Sequence, residues 1–159
     1  MERASARPAD ELEKIVERYG NSLYRICLVN LQNEADAEDA LQDVLLRYIQ
    51  KSPRFESDEH QKAWLIRVAV NRCRDMLRKR RWDQLDPQQL PAQEAPEEMG
   101  WVLEELMKLP EIYRTALTLH YVEEYSVAEI AKIIGATQSA VKMRLVNGRK
   151  LLKVALEKE

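Results

Sequence analysis

Residues 62–81 hold eight cations and a single acid, Asp75. Within them Trp64, Arg67, Asn71, Arg74 and Arg78 recur three and four residues apart, the spacing of one helix face. Such a face offers a phosphate backbone a row of cations, with one amide among them that can read a base edge. Leu65, Val68, Ala69 and Met76 fall on the opposite face, and the row closes with Arg78-Lys79-Arg80-Arg81. Phe55, the only Phe in the chain, stands just upstream, where its ring could stack on an unpaired base. Two readings stay level on the residues alone: a nucleic-acid face with a stacking ring, or a core ring beside a solvated cationic helix.

A second candidate lies near the C-terminus. Val127, Ile130, Ala131 and Ile134 make an apolar stripe, Gly135 follows where a turn needs positive φ, and Thr137 is placed to cap the next helix. That next helix buries Val141, Leu145, Gly148 and Leu152 and turns Ser139, Lys142, Met143 and Lys150 outward, with Gln138 and Arg144 flanking. Helix, short Gly turn and helix is the layout that lays a recognition helix in a major groove. Short polar and cationic groups near its N-terminus reach base edges and phosphates, which favours DNA binding over an ordinary helical hairpin.

The third candidate is acidic. Residues 34–43 carry five acids and no cation. Leu41, Val44, Leu45 and Tyr48 form the expected core stripe of this helix, leaving Asp39, Asp43 and Leu46 outward beside Gln42 and Gln50. An exposed Leu among acids suits a protein partner better than water.

Other chemistry finds little support. Cys27 and Cys73 are too far apart for a CxxC pair and sit among apolar neighbours, as buried thiols do. His60 and His120 have no acid–base partner at useful spacing, and no metal cluster or phosphate loop is spelled out. The chain is expected to be no enzyme and to need no cofactor or metal.

The elements that must position these faces are all helical. Four glycines, six prolines and 33% charged residues leave little material for a sandwich of strands and turns. The periodicity predicts helices at about 9–19, 22–31, 35–51 and 58–80, then at about 100–108, 110–123, 126–134 and 137–157. Gly20-Asn21 separates the first pair, Pro110 suits a first turn, and Ser126 with Glu129 forms a capping box. Residues 82–99 hold three prolines and five acids and read as a flexible linker. The expected architecture is all-α: two small helical domains, 1–81 and 100–159, joined by that linker, the second containing the helix-turn-helix. Apolar runs reach only four residues and the opening residues hold no apolar stretch, which predicts a cytoplasmic protein. The net charge of -2 hides two basic blocks alternating with two acidic ones.

The string from Trp64 to Asp75, preceded by Asp36-Ala37-Glu38-Asp39-Ala40-Leu41-Gln42-Asp43, resembles the promoter-melting domain of an extracytoplasmic-function (ECF) sigma factor. Leu109-Pro110 and the stretch from Tyr125 to Leu152 resemble the second sigma domain of the same sigma-70 family. The resemblance implies an RNA polymerase sigma factor of bacteria that binds core polymerase and initiates transcription of stress-response genes. It puts Asp39, Gln42, Asp43 and Leu46 on the clamp helices of the largest polymerase subunit. Phe55, Ser57 and Asn71 fall where the family holds a flipped base of the non-template -10 strand, with Arg67, Arg74, Arg78 and Lys79 along its backbone. Gln138, Ser139, Lys142, Met143 and Arg144 match the reading of the -35 element, and the C-terminal domain also docks on the polymerase flap. The acidic linker resembles the segment that threads toward the RNA path. Asn147-Gly148 stands where the family often has Arg-Ala, so the Asn gives up a phosphate contact. An anti-sigma factor, in many members bound to the membrane, is the further partner implied. The competing reading is a helix-turn-helix repressor or activator that dimerises and binds duplex without polymerase.

Overall fold

The computed structural model describes residues 9–51, 53–83 and 100–157. Seven α-helices and no strand are found among the described residues. They are α1 (Ala9–Leu31), α2 (Glu34–Lys51), α3 (Asp58–Asp83), α4 (Gly100–Met107), α5 (Glu111–Leu117), α6 (Val127–Ile134) and α7 (Gln138–Glu157). A π-helical turn, Thr118–Val122, prolongs α5. Residues 84–99, the greater part of the stretch read as a linker, lie outside the described residues.

The first helix corrects the expected break at Gly20-Asn21. Tyr19, Leu23, Ile26 and Cys27 are buried on one side of an uninterrupted α1. Burial on both sides of Gly20 outweighs the roughly 1 kcal/mol that a mid-helix Gly costs against Ala. The chain turns where Gln32 takes a left-handed φ of 57°, and Asn33 Oδ1 accepts from the Asp36 N–H at 3.0 Å to cap α2. The buried stripe of α2 is Ala37, Ala40, Val44 and Tyr48, so Leu41 and Leu45 sit only half-buried at its margin. Small side chains at the centre let α1 and α3, the neighbours of α2, approach closely.

Helix α3 begins behind Ser57, whose Oγ accepts from the His60 N–H at 3.1 Å, and runs on to Asp83. It buries Leu65, Ile66, Ala69, Val70, Cys73 and Leu77. That face is wider than expected because α3 packs on α1 and α2 and also on α6. Pro110 stands as the cap of α5, one residue before its first turn. The capping box at Ser126 is present in full: the Glu129 N–H donates to Ser126 Oγ and the Ser126 N–H donates to Glu129 Oε1. Gly135 ends α6 at φ 70°, and Thr137 Oγ1 accepts from the Ala140 N–H at 3.0 Å at the start of α7. No described helix is long and apolar enough to cross a membrane.

Candidate nucleic-acid interface

The eight cations of residues 62–81 divide into two groups. Arg72 Nε donates to Asp43 on α2 at 2.6 Å. Arg80 donates to the Asp36 carboxylate at 2.7 Å and to the Leu31 carbonyl at 3.1 Å, which ties α3 to both ends of the α1–α2 turn. Lys62 lies 3.6 Å from Glu123, and Arg81 donates to Glu111 at 3.1 Å. These four serve the fold. Arg67, Arg74 and Lys79 make no ion pair among the described residues, and Arg78 meets only the exposed Asp75 of its own helix at 3.3 Å. With exposed Asn71 between them, they are the outward stripe that the spacing predicts.

Trp64 does not share that stripe. Its ring lies 5.7 Å from Phe55 and 6.3 Å from buried Tyr48, edge-on to both, while Phe55 stacks parallel to Tyr48 at 6.4 Å. His60 closes the cluster with its ring 5.4 Å from that of Phe55. Phe55 is therefore a half-buried member of an aromatic cluster at the base of α3, and Ser57 beside it caps the helix. The sequence reading held a core role for Phe55 as one of two level alternatives and lacked the cap at Ser57. The S-x-x spacing from Ser57 to His60 signalled the cap, whereas no local pattern signalled the cluster.

Asp39, Gln42 and Leu46 are outward on α2, and Leu46 is 52% exposed. Asp43 is half-buried because Arg72 engages it. A groove of about 720 Å³ between α2 and α3 is lined by Asp43, Leu46, Asn71, Arg72, Arg74 and Arg78. The acidic and basic faces, read separately from the sequence, thus meet along one groove. Behind it, Cys73 and Cys27 are both buried. Their mutual hydrogen bond, together with burial, holds the Cys73 thiol well above its usual range, so it stays a neutral core group.

The C-terminal pair of helices keeps the predicted division of faces. Val141, Leu145 and Gly148 are buried; Gln138, Ser139, Lys142 and Met143 are exposed and Arg144 is half-buried beside them. Gly148 has a purpose that the sequence did not reveal. A Cβ there would stand 2.9 Å from Leu117 Cδ1 and 3.2 Å from Tyr113 Cβ, so the missing side chain lets α7 press on α5.

Two family models match the chain. The model of Sigma-70 region 2 matches residues 15–83, the helices that carry the groove, and that of Sigma-70 region 4 matches residues 99–152, which include the helix-turn-helix. The chain is 32% identical to the ECF RNA polymerase sigma factor SigM of Bacillus subtilis, over 89% of this chain and 93% of that protein. It is 29% identical to the ECF sigma factor SigW of the same organism, over 92% and 89%. Its fold is that of the sigma factor RpoE of Bartonella quintana, solved with the anti-sigma factor NepR, at a TM-score of 0.74 and 23% identity over 94% of this chain and 98% of that one. CnrH, solved with the cytosolic domain of CnrY, gives a TM-score of 0.70 at 24% identity over 96% and 91%. Two sigma regions in order on one chain, with identity spread over nearly all of it, leave one conclusion: the chain belongs to the extracytoplasmic-function sigma factors of the sigma-70 family, which direct RNA polymerase to initiate transcription.

Proposed function

We propose how this sigma factor divides its work among the three faces. Residues 1–81 form the unit that binds core polymerase and the -10 element, residues 100–159 the unit that reads the -35 element, and residues 82–99 connect them. Asp39, Gln42, Asp43 and Leu46 dock on a cationic clamp helix of polymerase. Asn71 holds a flipped base of the non-template strand, while Arg67, Arg74, Arg78 and Lys79 follow its backbone. Phe55 and Ser57 act beneath that site, the ring bracing Trp64 and the hydroxyl fixing the start of α3. Gln138, Ser139, Lys142, Met143 and Arg144 face the duplex of the -35 element. The observation that carries this reading is the groove in which Leu46 and Asn71 share one wall-to-wall surface: a polymerase helix on α2 would lie directly beside the strand on α3.

The protein would work in the cytoplasm under an anti-sigma factor, as RpoE of Bartonella quintana was solved with such a partner. A candidate seat is the apolar groove of about 620 Å³ lined by Val102, Leu106, Leu117, Tyr121 and Leu152 and rimmed by Arg149 and Lys153, which the polymerase flap would compete for.

The test is a titration of labelled protein with core polymerase. Leu46 is half exposed, so Leu46→Ala should change stability by under about 0.5 kcal/mol. As a buried anchor in the complex it should cost about 2 kcal/mol or more of binding, over tenfold in affinity. Unchanged affinity would remove α2 from the polymerase interface.

A further inference from the structure

The last turn of α3 carries a ring that none of the three faces uses. Trp82 is 87% exposed, and among the described residues no other large apolar side chain stands so far into water. Aromatic side chains bury about 150–250 Å² each when they are covered, so a Trp held in water is a surface without its contact. The turn that bears it is not a frayed end. Leu77 just before it is buried, and Arg80 donates to the Asp36 carboxylate at 2.7 Å and to the Leu31 carbonyl at 3.1 Å. The ring therefore stands on a fixed base, which lowers the entropy lost when a partner covers it.

Its direction follows from the helix period. Trp82 comes 11 residues after Asn71 and four after Arg78, which puts it within about 20° of Asn71 around α3 and about 16 Å further along. Arg67, Arg74 and Arg78 lie on that same side, so the ring prolongs the outward stripe by one turn. Exposed Arg78 and Lys79 precede it within about 6 Å of rise. Of the acids nearby, Asp75 pairs with Arg78 at 3.3 Å, and Asp83 falls about 100° round the helix. A bare aromatic ring among cations is the equipment of a single-strand binding surface. The core of a protein interface, by contrast, is depleted in charged residues.

We propose that Trp82 is a stacking platform, the π-face on which one unpaired base of the promoter strand rests at the far end of the track that Arg74 and Arg78 lay out from Asn71. At about 3.4 Å per stacked nucleotide, a separation of about 16 Å sets that base about five nucleotides from the one at Asn71. The two contacts differ in kind. The Asn71 amide hydrogen-bonds a base edge and so selects a base, whereas a ring offers the same stacking to any base. Trp82 thus adds a sequence-independent hold on the single strand and keeps it unpaired at the end of the track. This assignment rests on the strand track proposed above, which does not itself depend on Trp82.

The test titrates the full chain with an oligothymidylate of about 12 nucleotides and with an abasic oligomer of the same length and charge, from about 50 mM salt upward. The wild type should favour the thymidylate by about fivefold or more, the low end for one base stacked on an aromatic ring. Trp82→Ala should lose that preference and Trp82→Phe should keep most of it. Both variants should leave the melting temperature where it is, since the side chain is exposed. Both should also keep the logarithmic salt slope of about -3 that four outward cations give. A preference that survives Trp82→Ala, or is absent from the wild type, overturns the platform and leaves the track standing. A salt slope near zero, or binding of neither oligomer, overturns the track and the platform with it. A Trp82→Ala chain that binds both oligomers as the wild type does, yet loses affinity for core polymerase, overturns the platform and gives the ring to a protein surface.

Discussion

Gly148→Ala is the substitution on which helix propensity and packing disagree most sharply. In the middle of α7 an Ala is worth about 1 kcal/mol over Gly, and on propensity alone the variant should be more stable. The structure sets three contacts against that gain. The new Cβ would lie 2.9 Å from Leu117 Cδ1, 3.2 Å from Leu117 Cγ and 3.2 Å from Tyr113 Cβ. Leu117 is wholly buried, so its branch point has nowhere to retreat, and the Tyr113 contact is to a carbon fixed on the backbone of α5. Forcing one methyl into such a site costs about 1–3 kcal/mol. The net expectation is a loss of about 1 kcal/mol, which for a chain of this size lowers Tm by roughly 2–4 °C. Gly20→Ala is the control. Its Cβ would meet Val16 Cγ1 at 3.4 Å, an ordinary contact, so that variant should gain up to about 1 kcal/mol. Urea denaturation followed by circular dichroism reads both. A Gly148→Ala chain more stable than wild type would show that α7 can draw back from α5, and would refute the close-packing account.

Asn71→Ala should abolish permanganate-reactive thymines in the melted promoter without changing stability, whereas Phe55→Ala should also destabilise the fold by about 1–3 kcal/mol because its ring braces Tyr48 and Trp64. Burial, with nearby Glu123 and Glu129 adding to it, pushes the Tyr125 phenol up to about 12 from its ordinary 10. Below pH 10 the phenol is neutral in both states; from about pH 10 to about 12 only the unfolded chain ionises, so stability falls there, and Tyr125→Phe should flatten that fall in denaturation curves taken across the range. Binding to a single-stranded -10 oligonucleotide should depend on salt with a logarithmic slope of about -3, the value for four outward cations, and a slope near -6 would mean that all eight reach the strand.

What was legible in the sequence was local. Gly135, Ser126, Glu129 and Thr137 act within a few residues of themselves, and a helix cap or a left-handed turn is decided by such neighbours. The outward stripe of α3 was legible for the same reason, since Arg67, Asn71, Arg74 and Arg78 share a face whatever α3 packs against. Gly20 misled because propensity is a weak prior, and buried Tyr19 and Leu23 hold the helix through it. Ala37 and Ala40 were passed over because a small residue declares nothing about burial until the partner helix is known. Trp64 belongs with Phe55 and Tyr48 by contacts that cross from α3 to α2, and no periodicity encodes those.

Charge shows the same boundary between pattern and structure. A count of cations makes residues 62–81 one basic block, but the fold divides that block by partner. Arg72 and Arg80 are paired with Asp43 and Asp36 of α2, so part of the acidic segment also holds α3 in register. Asp39 and Gln42 remain outward on the same helix. Lys62 and Arg81 are committed to carboxylates that arrive from the other sigma region. The cations left for a nucleic acid are those for which the chain supplies no distant acid, and they line the face that also carries Asn71. A basic stripe therefore marks a binding surface only after its internal partners are subtracted. Here the subtraction removes Lys62, Arg72, Arg80 and Arg81 and keeps Arg67, Arg74, Arg78 and Lys79.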